Sequence, residues 1–324
     1  MYKRQEYIHF TAEQKEAARQ TDLVALLQSQ GEHLKRSGKE YVWRDGSEKV
    51  TVRGNLWFHQ YERIGGDAVD FVRRFYNMDF PQAVNFLLGN NGGALPQAKP
   101  VKREPPKPFT LPPKNDNMRR VYAYLLNRRG IDREVLSAFV HKGMIYESAD
   151  YHNAVFVGYD EHSIARHAHK RGTGSESTYK GNAESCDPRY SFHWTGKDNT
   201  LYLFEAPIDM LSFISLHKEN WRSHSYAAAC CVGDQVLFQM LKANPNIDTV
   251  CLCMDNDAAG QAANKRISDK LFIQGIKHEI LVPEFKDWNE DRLAAGGNAP
   301  HIRAEFSLPQ EEREEEEICQ TLQL

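Results

Sequence analysis

Apolar positions recur along this chain with two periods, and the switches between them mark its elements. Thr11 opens a helical stretch, with Gln14 three positions on as a capping partner. A second helix is expected over Asp22–Gln28. Then the period falls to two through GKEYVWRDG, EKVTVRG and NLWFHQY, with Gly38, Gly46 and Gly54 as punctuation, so short antiparallel strands are expected. Asp67 stands where it would cap a helix whose apolar face is Ala68, Val69, Phe71, Val72 and Phe75, and a further helix runs from Pro81 to Leu88. From Asn117 helical spacing returns in MRRVYAYLLNRRG, followed by a short helix IDREVLSAFVHKG with Asp132 as its cap. Strand-like runs follow in MIYES, NAVFVGYD and SIARHAHKRG.

After residue 199 strand and helix alternate. Leu201–Phe204 is a buried strand ending on Glu205, and Pro207 opens a helix with Ile208, Leu211 and Ile214 at helical spacing. SYAAACCVG is a middle strand ending at Gly233, and QVLFQMLKANP is a helix. Val250–Met254 is a strand ending on Asp255-Asn256-Asp257, with a helix through Ala263, Ile267 and Leu271. HEILVP is the last strand and leads to Asp287. This alternation predicts an α/β domain with a central parallel sheet, behind a mixed α+β segment and a small N-terminal domain rich in short strands. In an open α/β sheet ligands bind at the carboxyl ends of the strands, where Glu205, Asp255 and Asp257 stand.

Residues two apart on an extended segment point the same way, so Asp255 and Asp257 can face one site. Carboxylates crowded together without a cation repel one another and take up protons. An oxygen-only set of this kind suits Mg²⁺ or Mn²⁺ and the phosphoryl chemistry those ions support. The bland alternative is that Asp255 and Asp257 are a turn and a helix cap, with Glu205 merely exposed. On Asp-x-Asp alone the two readings are evenly matched.

EAPIDMLS followed by MDNDAAG resembles the Toprim domain of primases, topoisomerases and some nucleases. PEFKDWNEDR, Pro283 to Arg292, resembles the acidic motif after the last strand in primase-type members. The resemblance implies Glu205 as metal ligand or general base, Asp255 and Asp257 as metal ligands, and Asp287 as a further one. It gives Asp209 and Gly260 supporting places. One departure is Ala206-Pro207, where many Toprim motifs place a glycine after the glutamate.

The segment Thr21–Gly89 is similar to the N-terminal zinc-binding domain of DnaG-type primases, best at GGDAVDFV and DFPQAVNFL. Its Cys and His ligands are absent here, and His59 alone cannot make a tetrahedral site. A zinc-ribbon-like domain without zinc is therefore expected, held by Trp43, Trp57, Phe58 and Tyr61, of which one or two could stack on single-stranded bases. Residues 115–198 resemble the uncharacterised domain that precedes Toprim in a protein family of bacterial mobile elements. The expected organisation is then a degenerate zinc-finger-like domain at 1–89, a Pro-rich basic linker at 90–114, a primase-core-like subdomain at 115–198, a Toprim domain at 199–306 and an acidic tail at 307–324.

Composition adds limits. The chain has 324 residues, 26% of them charged and 41% hydrophobic, which suits a soluble multidomain protein. No apolar run is long enough for a membrane span and no signal peptide opens it, so a cytoplasmic protein is expected. The net charge of −3 hides an uneven distribution: nine basic residues lie between Lys99 and Arg129, and EEREEEE occupies 311–317. The six cysteines form no C-x-x-C pair, and Cys230, Cys231, Cys251 and Cys253 fall in the runs assigned as strands. Arg166, Lys170 and Arg171, with Lys180 beyond them, are candidates for holding template or nucleotide phosphates. On a strand Arg166 and Lys170 share a face. A solvated basic hairpin is the alternative, and His167 and His169 lack a third partner for a metal.

The resemblance implies a primase-like enzyme making short primers on single-stranded DNA from nucleoside triphosphates, with Mg²⁺ or Mn²⁺ and with a replicative helicase or relaxase as partner. A Toprim nuclease and a non-catalytic DNA-binding accessory protein are the alternatives.

Overall fold

The structure is a computed structural model, and it describes residues 10–45, 48–60, 62, 64–89, 96–98, 107–230, 233–296 and 303–307. The chain divides into two compact units, Met1–Pro105 and Pro106–Leu324. It is a mixed α and β multidomain protein, with three sheets among the described residues.

The first unit begins with α1 (Ala12–Arg19) and α2 (Leu23–Ser29). Thr11 and Gln14 cap α1 reciprocally, and Asp22 caps α2. A five-stranded antiparallel sheet follows in sequence order: β1 (Leu34–Ser37), β2 (Glu40–Asp45), β3 (Glu48–Arg53), β4 (Leu56–His59) and β5 (Gly65–Gly66). Then come α3 (Ala68–Phe75) and α4 (Phe80–Leu87), each opened by an aspartate capping box at Asp67 and Asp79. The alternation along β2–β4 sends Trp43, Val50, Val52 and Trp57 into a core with Leu26, Leu27, Phe71 and Val72. Trp43 and Trp57 pack edge-on against Phe75 at 5.2 Å each. Each indole keeps its N–H satisfied, Trp43 on Glu32 and Trp57 on the Asp67 carbonyl. His59 is buried, and its Nδ1 accepts from the Glu62 amide. Phe58 is half-buried on the opposite face, and Tyr61 lies outside the described residues.

The stretch 90–114, expected as a linker, is joined to structure at both ends. The Asp22 amide donates to the Pro96 carbonyl and the Ala98 amide to Gln20. At the other end the Ala149 amide donates to Pro113, the Tyr146 hydroxyl donates to Pro112, and Phe109 and Leu111 pack into a small core with Val155, Val157 and Ala168. The apolar pair Phe109 and Leu111 explains why this end packs rather than hangs free. Of the expected acidic tail, 307–324, all but residue 307 lies outside the described residues.

The second unit opens with α5 (Arg119–Tyr122), and the expected single helix changes pitch there. Ala123–Arg128 is a π-helix, closed by the Arg129 amide on the Tyr124 carbonyl. Next come α6 (Arg133–His141), capped by Asp132, and an antiparallel sheet of β6 (Ile145–Glu147), β7 (Ala154–Tyr159), β8 (Ala165–Arg171) and β9 (Lys180–Asn182). The other sheet has six strands in the order β10 (His193–Trp194), β12 (Ser225–Ala228), β11 (Thr200–Phe204), β13 (Thr249–Cys253), β14 (Lys277–Val282) and β15 (Arg303–Ser307). Its four central strands are parallel to one another and its two edge strands antiparallel. Helices α7 (Pro207–Leu216) and α10 (Trp288–Ala294) share a core with β6 and β7, and α8 (Gln235–Ala243) and α9 (Ala258–Ile273) cover the other face.

The expected middle strand through Cys230 and Cys231 is shorter than the sequence suggests. β12 ends at Ala228 and Cys230 has a φ of 55°, which takes it off the strand. Cys231 lies outside the described residues. Cys251 and Cys253 are buried in β13, as small apolar side chains would be. Among the described residues no helix is long and apolar enough to cross a membrane.

Candidate active site at the carboxyl edge of the parallel sheet

Three neighbouring parallel strands deliver four carboxylates to one edge. Glu205 directly follows β11. Asp255 and Asp257 follow β13, and Asp287 ends the short segment after β14. Asp209 joins from the first turn of α7, where it is buried.

Each of these carboxyl groups lies within the electrostatic reach of others in the set. Burial and then the charges of Glu205, Asp287 and Asp257 push the Asp255 carboxyl up to about 7, against the opposing pull of Lys286. Burial also raises Glu205. Lys180 and Lys286 hold it down, while Asp257 and Asp287 push it further up. Asp209 is driven well above the usual carboxylate range by burial and by Asp255, Asp287 and Glu205, with only the Asn289 amide opposing. Like charges gathered in a poorly hydrated place favour protonation unless a cation joins them.

Local bonding explains the placement. Asp257 caps α9 with Oδ1, which accepts from the Ala259 and Gly260 amides at 3.0 Å each. Asp287 caps α10 with Oδ1, accepting from the Glu290 amide at 2.8 Å. Capping and cation binding are compatible here, because Oδ2 of each aspartate lies outside its cap. The Asn256 amide donates to the Lys286 carbonyl at 2.8 Å, which ties the Asp-Asn-Asp turn to the segment carrying Asp287. The buried Asp291 carboxylate accepts from the Glu284 and Phe285 amides at 2.9 and 2.8 Å. The Trp288 indole donates to the Cys253 carbonyl at the end of β13. Gly260 lets the helix approach the turn: a Cβ there would fall 1.9 Å from the Asp255 carbonyl oxygen.

The donor set fits a hard divalent cation. It is all oxygen, and Asp255 Oδ1 is buried without a hydrogen-bond partner. The carboxylates converge without closing. Among the described residues no three Asp, Glu, His or Cys side chains are arranged to hold a metal ion outright. Asp255, Asp257 and Asp287, with Glu205 beside them as a further ligand or as a base, are the side chains that would hold Mg²⁺ or Mn²⁺. The bound ion would stabilise the charge that develops on phosphate oxygens.

The basic residues separate into two groups. Lys170 lies on the Ala168 face of β8, toward Phe109 and Leu111, and over the Tyr179 ring, whereas Arg166 stands at a register shift of β8, which breaks the alternation expected to join it to Lys170, and pairs with Asp160 at 2.7 Å. The other face carries His169 and Arg171, with Lys180 directly across the ladder from Arg171. Lys180 is the one whose charge reaches Glu205. His169 is buried, holds Asn182 at 2.7 Å and has its pKa lowered to about 4, so its ring is neutral. Arg171 Nε donates to the Tyr124 hydroxyl, which also accepts from Arg129 Nε. Arg129 Nη1 in turn donates to Asn289, two residues past Asp287.

Several contributors are not apparent from the sequence pattern: Lys286, Asn289, Asp291, the π-helical Tyr124 and Arg129, which caps that helix. The only signal available was the polar density of DWNED, where Asp287 and Glu290 have the spacing of a helix cap.

Residues 202–292 match the family described as Toprim-like, and residues 123–198 match a protein family of unknown function, DUF3991. The chain carries a Toprim-like domain. It is 25% identical over 311 residues to an uncharacterised protein from the plasmid pXO2 of Bacillus anthracis, spanning 87% of this chain and 89% of that one. Its fold is similar to the zinc-binding and RNA polymerase domains of Aquifex aeolicus primase, at 16% identity and TM-score 0.39, covering 89% of this chain and 83% of that one. It is also similar to the primase fragment of the bacteriophage T7 primase-helicase, at 18% identity and TM-score 0.43, covering 60% and 80%.

Proposed function

We propose that this Toprim-domain protein synthesises short primers on single-stranded DNA by Mg²⁺-dependent nucleotidyl transfer, in the replication or transfer of a mobile element. The observation that carries the reading is the convergence of Glu205, Asp255, Asp257 and Asp287 at the carboxyl edge of the parallel sheet, with a buried, unpartnered oxygen on Asp255. The match to the Toprim-like family and the plasmid origin of a relative support it.

In this reading the 3′-hydroxyl of the growing primer attacks the α-phosphorus of a nucleoside triphosphate. A P–O bond forms, pyrophosphate leaves, and the hydroxyl proton passes to a base. Glu205 takes that role in this reading, supported by burial, which raises its basicity, and by Lys180 and Lys286, which favour the ionised form. Asp255, Asp257 and Asp287 hold the cation. Lys180, Arg171 and Arg129 face the phosphates, and the N-terminal unit grips the template. Zinc has no role in this scheme. A replicative helicase or relaxase would deliver the single strand, in the cytoplasm.

The test is incubation of the full chain with labelled nucleoside triphosphates, Mg²⁺ or Mn²⁺ and single-stranded DNA of several sequences, for wild type and Asp255→Ala. Short products from wild type alone establish the reading. No product on any template sinks it. Cleavage of the DNA without added nucleotide identifies a nuclease, and intact DNA binding with neither activity identifies an accessory protein.

A further inference from the structure

A second feature opens at the same edge of the sheet, on the α9 side. A cleft of about 520 Å³ lies between α9, from Gln261 to Asp269, and the end of β14. Its size falls within the range of small-molecule sites. One stripe of α9 lines it, spaced three and four apart: Gln261, Asn264, Lys265 and Ser268. The β14 residues Ile280 and Val282 supply an apolar wall. Asp255 lines the cleft too, so the cleft adjoins the carboxylate cluster.

The stripe is unusual for a helix that covers a sheet. Ala263, Ile267 and Leu271 of α9 go into the core, as expected. Asn264 is polar yet only 6% exposed, and its Oδ1 is buried with no hydrogen-bond partner. A buried acceptor left unpaired costs about 1–3 kcal/mol, so its presence in a cleft wall calls for a ligand that donates to it.

We propose that this cleft is a nucleobase pocket, in which Asn264 accepts from an exocyclic amino group while Ile280 and Val282 pack against the ring. The dimensions and the mixed wall suit a base with its sugar, and the adjoining carboxylates set where the attached phosphates lie. Bases that carry an amino group, adenine, guanine and cytosine, satisfy Asn264, and uracil does not offer that donor. The inference rests on the reading of the carboxylates as a cation site for nucleotide phosphates. It adds which side of that site the base occupies.

The experiment measures binding to the full chain with Mg²⁺, without template and without synthesis. ATP and UTP are titrated into wild type and Asn264→Leu, and a short oligo(dA) serves as the other source of adenine. Photolabelling with an azido-adenosine triphosphate is mapped by peptide. Expected are label on α9, a loss of about tenfold in ATP affinity for Asn264→Leu and little change for UTP. The Leu variant keeps the volume and loses no internal hydrogen bond, so its Tm stays at or above that of wild type. If that variant fails to fold, Gln261→Leu at the cleft mouth takes its place, with the same expected direction. Weakening of ATP alone identifies the free nucleotide as occupant, and weakening of oligo(dA) identifies a strand end. Equal ATP affinity in variant and wild type, label elsewhere, or no ATP binding by wild type overturns the inference. Its fate separates from that of the proposed reaction. Base binding without primers leaves the pocket standing, and primer synthesis indifferent to Asn264 removes the pocket alone.

Discussion

At Asp255 two demands meet on one carboxyl group: it is placed among like charges, and it is left without a hydrogen-bond partner. Its folded pKa of about 7 lies above the ordinary 3.8, so between those values the folded chain binds more protons than the unfolded one. The contribution of this group to metal-free stability is therefore fully present at low pH and is lost as the pH rises from about 4 to about 7. Asp255→Asn removes the ionised form, and its metal-free Tm at pH 8 should rise by about 2–4 °C. Millimolar Mg²⁺ should raise the wild-type Tm, more strongly at pH 8 than at pH 6, and should leave the variant unmoved. A fluorescence melt over pH and Mg²⁺ reads all of this, and a variant less stable than wild type without metal would contradict the account. Gly260 sets the same site from below. Gly260→Ala puts a methyl against the Asp255 carbonyl, so the turn must shift, at a cost of about 1–3 kcal/mol. The expected signature is weakened Mg²⁺ stabilisation with the far-UV spectrum retained.

At the scale of elements, the carboxylates depend on how α10 is anchored. Asp291 reaches back to accept from the Glu284 and Phe285 amides, and Asn256 holds the Lys286 carbonyl, so the segment bearing Asp287 is fastened from both sides. Asp291→Ala leaves two amides without their acceptor and should lower stability by about 1–3 kcal/mol in a denaturant titration. Its Mg²⁺ affinity should fall as well, although Asp291 is not among the proposed ligands. Asp291→Asn, which keeps one acceptor oxygen, should fall between. These anchors also mark the limit of what the sequence made legible. β11 and β13 could be read because each is an apolar run leading into a carboxylate, and α7 and α9 because each keeps a helical period. α10 is short, and its purpose is to satisfy backbone groups, which periodicity does not record. The π-helix at Ala123–Arg128 keeps the composition of an α-helix while changing its hydrogen bonds, and residue types alone do not reveal that. The two faces of β8 show the same limit. Alternation put Arg166 and Lys170 together, but a register shift breaks it there, and only packing says which face meets the carboxylates. That face carries Arg171 and, across the ladder, Lys180.

For the molecule as a whole, a net charge of −3 argues against nucleic-acid binding until the charges are located. In the N-terminal unit the alternation that buries Trp43, Val50, Val52 and Trp57 turns Lys35, Arg44, Lys49 and Arg53 to the other face of the sheet. Across the strands Lys35, Val42, Thr51 and Phe58 stand in one row, and Arg44 stands opposite Lys49. Cations flanking a half-buried aromatic ring match what single-stranded DNA asks of a surface: charge for the backbone and a flat face for a base. If this unit grips the template, the triple variant Arg44→Glu, Lys49→Glu, Arg53→Glu should lower the slope of log affinity against log salt by about 2, since each lost phosphate contact on a single strand removes about 0.7. Phe58→Ala should weaken binding by about 1–3 kcal/mol with the slope unchanged, because stacking carries no counterion release. Fluorescence anisotropy with a labelled oligonucleotide over a range of salt separates the two effects. Equal slopes for wild type and the triple variant would move the template away from this sheet and onto the second unit, where Arg171, Lys180 and Arg129 would have to hold it unaided.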